Sequence, residues 1–127
     1  MTNYGTLKLI LYYCELIIDI HKSHDSDQVA FTNDCEYQYA ISMGLIQIGE
    51  LANKLTNDFK DYFSNLPWSH MRSFRNRLAH QYGSIDIDLT YWISTVDITR
   101  IHGQLLKIIT DFEQEFPKVI NMEEKND

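Results

Sequence analysis

The chain has 127 residues, of which 44% are hydrophobic and 23% are charged. This length and composition are typical of one globular domain that buries its own core, and they exclude a disordered or fibrous chain. The net charge of −7 argues against a protein that coats nucleic acid non-specifically. We therefore expect a single domain over residues 1–127, with about 118–127 as a frayed tail.

A first amphipathic helix is predicted from Thr6 to His21, because apolar residues recur there at three- and four-residue spacing. Its apolar stretch, residues 9–20, contains Glu15 and Asp19 and has no small-residue cleavage site. It therefore fits neither a signal peptide nor a membrane span. We expect a cytoplasmic protein without a membrane partner.

Metal binding has little support in the sequence. Cys14 and Cys35 lack the spacing of metal ligands and are expected to be reduced, buried packing residues. His21 and His24 with Asp25 suggest a metal site only weakly, because they lie at the end of a helix that should fray.

A second helix is predicted from Asp34 to Leu55, with Thr32 or Asn33 as its N-cap. This helix is apolar on two faces, so it is either central in the core or shared between the core and a subunit contact. The first stripe comprises Tyr37, Ile41, Leu45, Ile48, Ala52 and Leu55, and the second Met43, Ile46, Gln47 and Glu50.

A third main helix is predicted to begin at Pro67 and to end near Gly83. A long fourth helix is predicted from about Leu89 to Phe116, with Asp86 or Asp88 as its cap. No stretch alternates like a strand, so we expect an all-α, four- or five-helix bundle. The buried positions are expected at Trp68, Met71, Phe74 and Leu78, then at Trp92, Val96, Ile98, Ile101, Leu105, Ile108 and Phe112.

Acidic residues are missing between Leu66 and Gly83. A basic strip on an acidic body can hold a short stretch of phosphate backbone. Taken alone, however, its arginines also fit solvated residues near a helix C-terminus, and its last histidine fits a capping residue. The strip contains His70, Arg72, Arg75, Arg77 and His80.

The segment Arg75-Asn76-Arg77-Leu78-Ala79-His80-Gln81-Tyr82 resembles the signature of HEPN-domain proteins, an arginine and a histidine separated by four residues. The tyrosine that follows resembles the HepT-like branch in particular. The resemblance extends from the first helix to about Ile109, and it includes Ile48-Gly49-Glu50 and the Pro67-Trp68 pair that leads into the motif.

This resemblance implies a homodimeric, HEPN-like helical bundle that cuts RNA without a metal or other cofactor, with the two motifs meeting at the subunit interface. It implies the endoribonuclease toxin of a type VII-like toxin–antitoxin pair, with Arg75 and His80 as catalytic residues. Its partner would be a nucleotidyltransferase antitoxin of the MNT type, which transfers AMP to Tyr82. An adenylylated tyrosine beside the basic strip would repel RNA and occupy its cleft.

The residue types suit this chemistry. An imidazole such as that of His80 titrates near neutral pH and can move the proton of a ribose 2′-hydroxyl, while the Arg75 guanidinium presents a fork of donors to phosphate. Asn76 is expected to orient His80 or to contact the phosphate, and Arg72 and Arg77 are candidate RNA contacts.

The spacing of the motif leaves the site incomplete in one straight helix. Residues five apart, such as Arg75 and His80, point about 140° apart. Either the helix loosens before Gly83, or a second subunit supplies the missing partner. Glu50 is expected to pair with Arg75 or Arg77, or to reach an exposed edge, because an isolated carboxylate among apolar neighbours is costly.

Two other functions remain open at this point. A catalytically silent HEPN dimer would bind a nucleotidyltransferase and serve as its target or scaffold. The alternative for Tyr82 itself is a tyrosine that packs at a helix end. A purely structural helical bundle would leave the acid-free strip unexplained. The intact set of Arg75, Asn76, His80 and Tyr82 favours the ribonuclease.

Overall fold

The computed structural model describes residues 2–79 and 86–118, except for the side chain of Ala79. Within these ranges all regular structure is helical, which confirms the all-α prediction. None of the described helices is long and apolar enough to cross a membrane. The elements are α1 (Asn3–Ser23), α2 (Gln28–Asn33), α3 (Cys35–Lys54), α4 (Asn57–Tyr62), α5 (Trp68–Arg72), α6 (Phe74–Ala79), α7 (Ile87–Trp92), a π-helical segment (Ile93–Asp97) and α8 (Ile98–Glu115).

The core lies where α1 packs against α3 and α8. The α5–α6 stretch packs on α3 as well, so α3 is the central helix of the bundle. Cys14 is buried in this core as predicted, but Cys35 is exposed because it begins α3 on the outward side, next to exposed Glu36. The fully buried side chains include Leu7, Ile10, Ile17, Phe31, Ile41, Leu45, Ile48 and Met71.

The predicted N-cap of α3 was wrong by one or two residues. Thr32 and Asn33 both belong to the short helix α2, where their side chains donate to backbone carbonyls one turn earlier, each at 2.9 Å. Asp34 caps α3 instead, since its carboxylate accepts from the backbone N–H of Tyr37 at 3.2 Å. The predicted helix otherwise has the observed bounds to within one residue.

The predicted third helix is broken into α5 and α6 at Ser73. The Ser73 hydroxyl donates to the carbonyl of His70 at 2.6 Å, and its N–H is shared between the carbonyls of Ser69 and His70. This 3₁₀-like turn ends α5, and α6 begins at the next residue. The buried stripe of Trp68, Met71, Phe74 and Leu78 is confirmed.

The long fourth helix exists as α7, the π-helical segment and α8, capped by Asp86. Two of its predicted core residues are in fact exposed, Trp92 by 49% and Val96 by 43%. The inner face at this level carries the polar residues Ser94 and Asp97 instead, both buried and hydrogen-bonded to histidines. Trp92 and Val96 therefore share an outward face, one turn apart.

Candidate active site

The helix that carries the motif lies against the backbone of α3 at Gly49. A methyl group added to Gly49 would be 2.9 Å from the carbonyl oxygen of Met71 and 3.7 Å from the backbone nitrogen of Arg75. Only glycine allows so close an approach without moving one of the helices. This contact places the start of α6 beside the C-terminal half of α3.

Arg75 pairs with Glu50, one of the partners considered from the sequence. Its Nη1 donates to Glu50 Oε1 at 2.9 Å. The Arg75 side chain is 64% exposed and that of Glu50 is 41% exposed. Exposed pairs of this kind stabilise a fold by about 0–1 kcal/mol, so the guanidinium can exchange the carboxylate for an incoming phosphate at little cost.

A polar cleft of about 400 Å³ opens between α3 and the α5–α6 stretch. Among its described lining residues, two arginines against one glutamate give a net charge of +1. Apart from Gly49, each of these described residues has a polar side chain, which suits phosphate and ribose better than an apolar ligand. The lining comprises Gly49, Glu50, Asn53, Ser69, Arg72, Ser73, Arg75 and Asn76.

The structure thus brings Arg72, Arg75 and Asn76 together in one cleft, and it separates them from Arg77. Residues two apart on a helix face nearly opposite ways, so Arg77 points to the other side of α6. There its Nη1 lies 3.2 Å from His70 Nδ1. Of the candidate RNA contacts, Arg72 belongs to this cleft and Arg77 does not.

His80, predicted to be catalytic, and Tyr82, predicted to be the modification site, lie outside the described residues, as does Gly83. The two ways of completing the site, a loosened helix end or a second subunit, therefore both stay predictions.

A side-chain cluster that sequence reasoning missed lies on the Arg77 side of α6. His70 Nε2 is 2.6 Å from Asp97 Oδ2, and the Asp97 side chain is only 8% exposed. Arg100 Nη2 approaches the other carboxylate oxygen at 3.7 Å. The available signal was an aspartate within an apolar helical pattern, because a buried carboxylate needs a partner.

The weak metal-site candidate at the end of α1 has a different role. His21 is buried, with Nδ1 against the Tyr37 hydroxyl and Nε2 2.8 Å from Ser94 Oγ. Both ring nitrogens are therefore engaged, and burial lowers the pKa of His21 to about 4, with a smaller contribution from His24. Among the described residues, no three His, Cys, Asp or Glu side chains form a group able to hold a metal ion.

The fold and the cleft together give the class of domain, which is an all-helical bundle with a basic polar cleft beside its central helix. Comparison with known proteins then gives the family. Residues 3–108 match the family described as "Ribonuclease HepT-like". The chain belongs to this HepT-like ribonuclease family.

Several relatives have names that assign them, provisionally, as ribonucleases. One RNase of Methanocaldococcus jannaschii is 35% identical over 89 residues, which are 63% of this chain and 82% of that protein. A second from the same organism is 33% identical over 106 residues, 83% of this chain and 89% of that protein. A ribonuclease HepT of Thermococcus cleftensis is 31% identical over 78 residues, 61% of this chain and 71% of that protein. No solved structure gives a significant match.

Proposed function

We propose that this chain is a metal-independent endoribonuclease, the toxin of a type VII-like toxin–antitoxin pair. The observation that carries the proposal is the exposed Arg75 guanidinium in a polar cleft of net charge +1, in a chain whose residues 3–108 match the HepT-like ribonuclease family. Arg75 is held there by one exposed carboxylate, so it is available to a phosphate.

The proposed reaction is an internal transesterification. The ribose 2′-oxygen attacks phosphorus, the 5′-oxygen leaves, and the products are a 2′,3′-cyclic phosphate and a free 5′-hydroxyl. His80 accepts the 2′-hydroxyl proton or supplies one to the leaving oxygen. Arg75 stabilises the charge that develops on the phosphoryl oxygens, and Asn76 and Arg72 hold the strand in the same cleft.

The active form is proposed to be a homodimer in which two such clefts meet. The outward face of α3 supports this arrangement, because Tyr39 and Met43 are 58% and 56% exposed there. Ile46 continues the same face towards Glu50, so an apolar stripe leads directly to the cleft. A second copy that covered this stripe would bring its own Arg75 and His80 close to the first pair.

Neutralisation is proposed to occur at Tyr82 by a nucleotidyltransferase antitoxin. The phenol oxygen would attack the α-phosphate of ATP, with pyrophosphate as the leaving group, and would carry AMP afterwards. The added charge and bulk would lie close to the catalytic histidine in sequence and would exclude RNA.

The experiment that tests this function is cleavage of an end-labelled RNA by the purified chain, with and without chelator. Arg75→Ala and His80→Ala are compared with Lys107→Ala, an exposed charge on α8 that does not line the Arg75 cleft. We expect cleavage by the parent and by Lys107→Ala in both conditions. A folded parent dimer that never cleaves RNA but binds a nucleotidyltransferase would instead be the catalytically silent scaffold.

A further inference from the structure

A second basic pocket, of about 350 Å³, lies on the side of α6 opposite the Arg75 cleft. Its lining includes Arg77 from α6, His70 from α5, Asp97 and Trp92 from the last helical stretch, and Arg100 from α8. The proposed cleavage and neutralisation steps do not use these residues as a group.

Arg77 is held in this pocket through His70. A guanidinium only donates hydrogen bonds, so His70 Nδ1, 3.2 Å from Arg77 Nη1, must be the acceptor. His70 Nε2 then carries the ring proton and donates to Asp97 Oδ2 at 2.6 Å. The His70 ring also packs edge-on against Phe74 at 5.1 Å between centroids, which fixes its orientation.

The charges in the pocket favour an anion. Among the described lining residues, and without counting His70, Arg77 and Arg100 against Asp97 leave a net charge of +1. The negative group is buried and already bonded, whereas the side chain of Arg100 is 64% exposed and Arg77 is exposed as well. A ligand in the pocket therefore meets two guanidinium groups and little free carboxylate.

Trp92 adds an aromatic surface beside these charges. It is 49% exposed although it belongs to a helix with a well-filled inner face. An exposed indole flanked by arginines is the combination that binds single-stranded nucleic acid, where a base stacks on the ring and the backbone phosphate contacts the cations.

We infer that this second pocket binds one nucleotide of the single-stranded RNA substrate, with its base on Trp92 and its phosphate between Arg77 and Arg100. The inference rests on the proposed function and assigns a substrate subsite outside the catalytic cleft. The two pockets are separated by α6, about 10 Å across with its side chains, a distance that a short extended strand can follow. His70 and Asp97 are positioning residues for Arg77.

The test is a binding measurement in a His80→Ala background, so that RNA is not consumed. Tryptophan fluorescence and anisotropy are recorded while a labelled oligouridylate is added, and separately while UMP is added. The variants are Trp92→Ala, Trp92→Phe, Arg77→Ala and Arg100→Ala. Val96→Ala, on the exposed face next to Trp92, and Lys107→Ala are the matched controls.

We expect the oligouridylate to quench Trp92 fluorescence, and Trp92→Ala, Arg77→Ala and Arg100→Ala each to raise the Kd about tenfold. Arg77→Ala should also reduce the slope of log K against the logarithm of the salt concentration by about one. Trp92→Phe should remove the quench but keep most of the affinity, and neither control should change the Kd.

Two results would overturn the inference. Equal quenching by UMP and by the oligouridylate at the same concentration of nucleotide would assign the pocket to free nucleotides instead of a strand. Unchanged RNA affinity in all the pocket variants, without any quench, would remove the subsite. His80-dependent cleavage by the chain with an unaltered second pocket would then still support the ribonuclease. The two proposals can therefore fail separately.

Discussion

Gly49 of α3 and Met71 of α5 meet backbone to backbone, so closely that a Cβ on Gly49 would lie 2.9 Å from the Met71 carbonyl oxygen. The same Cβ would lie 3.6 Å from the Arg72 carbonyl oxygen. Because these atoms belong to backbone, the clash cannot be relieved by a side-chain rotation. The position of Arg75 over the cleft therefore depends on α3 having a glycine, with no side chain, at position 49.

Gly49→Ala should move the α5–α6 stretch away from α3, with a loss of about 1–3 kcal/mol in the free energy of unfolding. RNA cleavage by the folded fraction should fall as well. Gly103→Ala is the control, because a Cβ there meets nothing within 4 Å in the middle of α8. That change should stabilise the protein by about 0.5–1 kcal/mol. Urea unfolding checks both, and equal stability of the two variants would refute the close-contact account.

The stability of the fold should depend on pH through His21. Ser94 Oγ donates to the Tyr91 carbonyl, so it accepts from His21 Nε2 and leaves Nδ1 to accept from the Tyr37 hydroxyl. This buried arrangement fits neutral histidine, whose pKa is lowered to about 4. An unfolded histidine has a pKa of about 6.5, so between these values the unfolded state binds more protons and stability falls as the pH falls.

We expect a loss of about 2 kcal/mol between pH 7 and pH 5 from this group. His21→Asn should be less stable at pH 7 but should show a flatter pH profile in urea unfolding. A profile as steep as that of the parent would assign the pH dependence to other groups.

Helix positions could be predicted from the sequence, because apolar spacing and caps are local features. The predicted limits of the first and second helices agree with those of α1 and α3 to within three residues. The break at Ser73 could not be predicted, since no proline or glycine marks it and a serine hydroxyl bonded to the His70 carbonyl creates it. The outward position of Trp92 also depended on tertiary contacts. Ser94 and Asp97 occupy the inner face of the helix instead, because His21 and His70 form hydrogen bonds with them there.

Part of the candidate site's arrangement could be predicted, because the motif is a local feature of the sequence. The motif pointed to Arg75 and Asn76, which line one cleft, and Glu50 was expected to pair with Arg75 or Arg77 and pairs with Arg75. The roles of these residues stay predictions. Helical spacing separates Arg77 from Arg75, but the sequence could not show that the Arg77 side of the helix faces His70 and Asp97, because those contacts depend on how the helices pack.

Met43→Glu should convert the proposed dimer to a monomer, because it places a charge in the middle of the exposed α3 stripe. Cleavage should be lost while helical circular dichroism is retained. Val29→Glu makes the same change from an apolar to a charged side chain on α2, at a residue that is 68% exposed, and should leave a dimer. Light scattering after gel filtration checks both. A parent monomer, or an intact and active Met43→Glu dimer, would contradict the proposed interface.

Tyr82→Phe should keep the fold and the cleavage activity but lose AMP incorporation when a cognate nucleotidyltransferase and ATP are present. Only the hydroxyl that would accept the nucleotide is removed. If modification is the main route of neutralisation, the variant stays toxic in cells that also express the antitoxin. Intact-mass and peptide mass spectrometry decide the chemistry, and an adduct on another residue would overturn the assignment of Tyr82.

The central claim is that Arg75 and His80 form a metal-independent ribonuclease site, and single-turnover cleavage of a labelled RNA in chelator tests it most directly. We expect full activity of the parent and of Lys107→Ala, a decrease of about a hundredfold or more for His80→Ala, and a similar decrease for Arg75→Ala. The products should carry a 2′,3′-cyclic phosphate. Undiminished cleavage by a folded Arg75→Ala/His80→Ala double variant, or activity that disappears with chelator and returns with a divalent metal, would contradict the account.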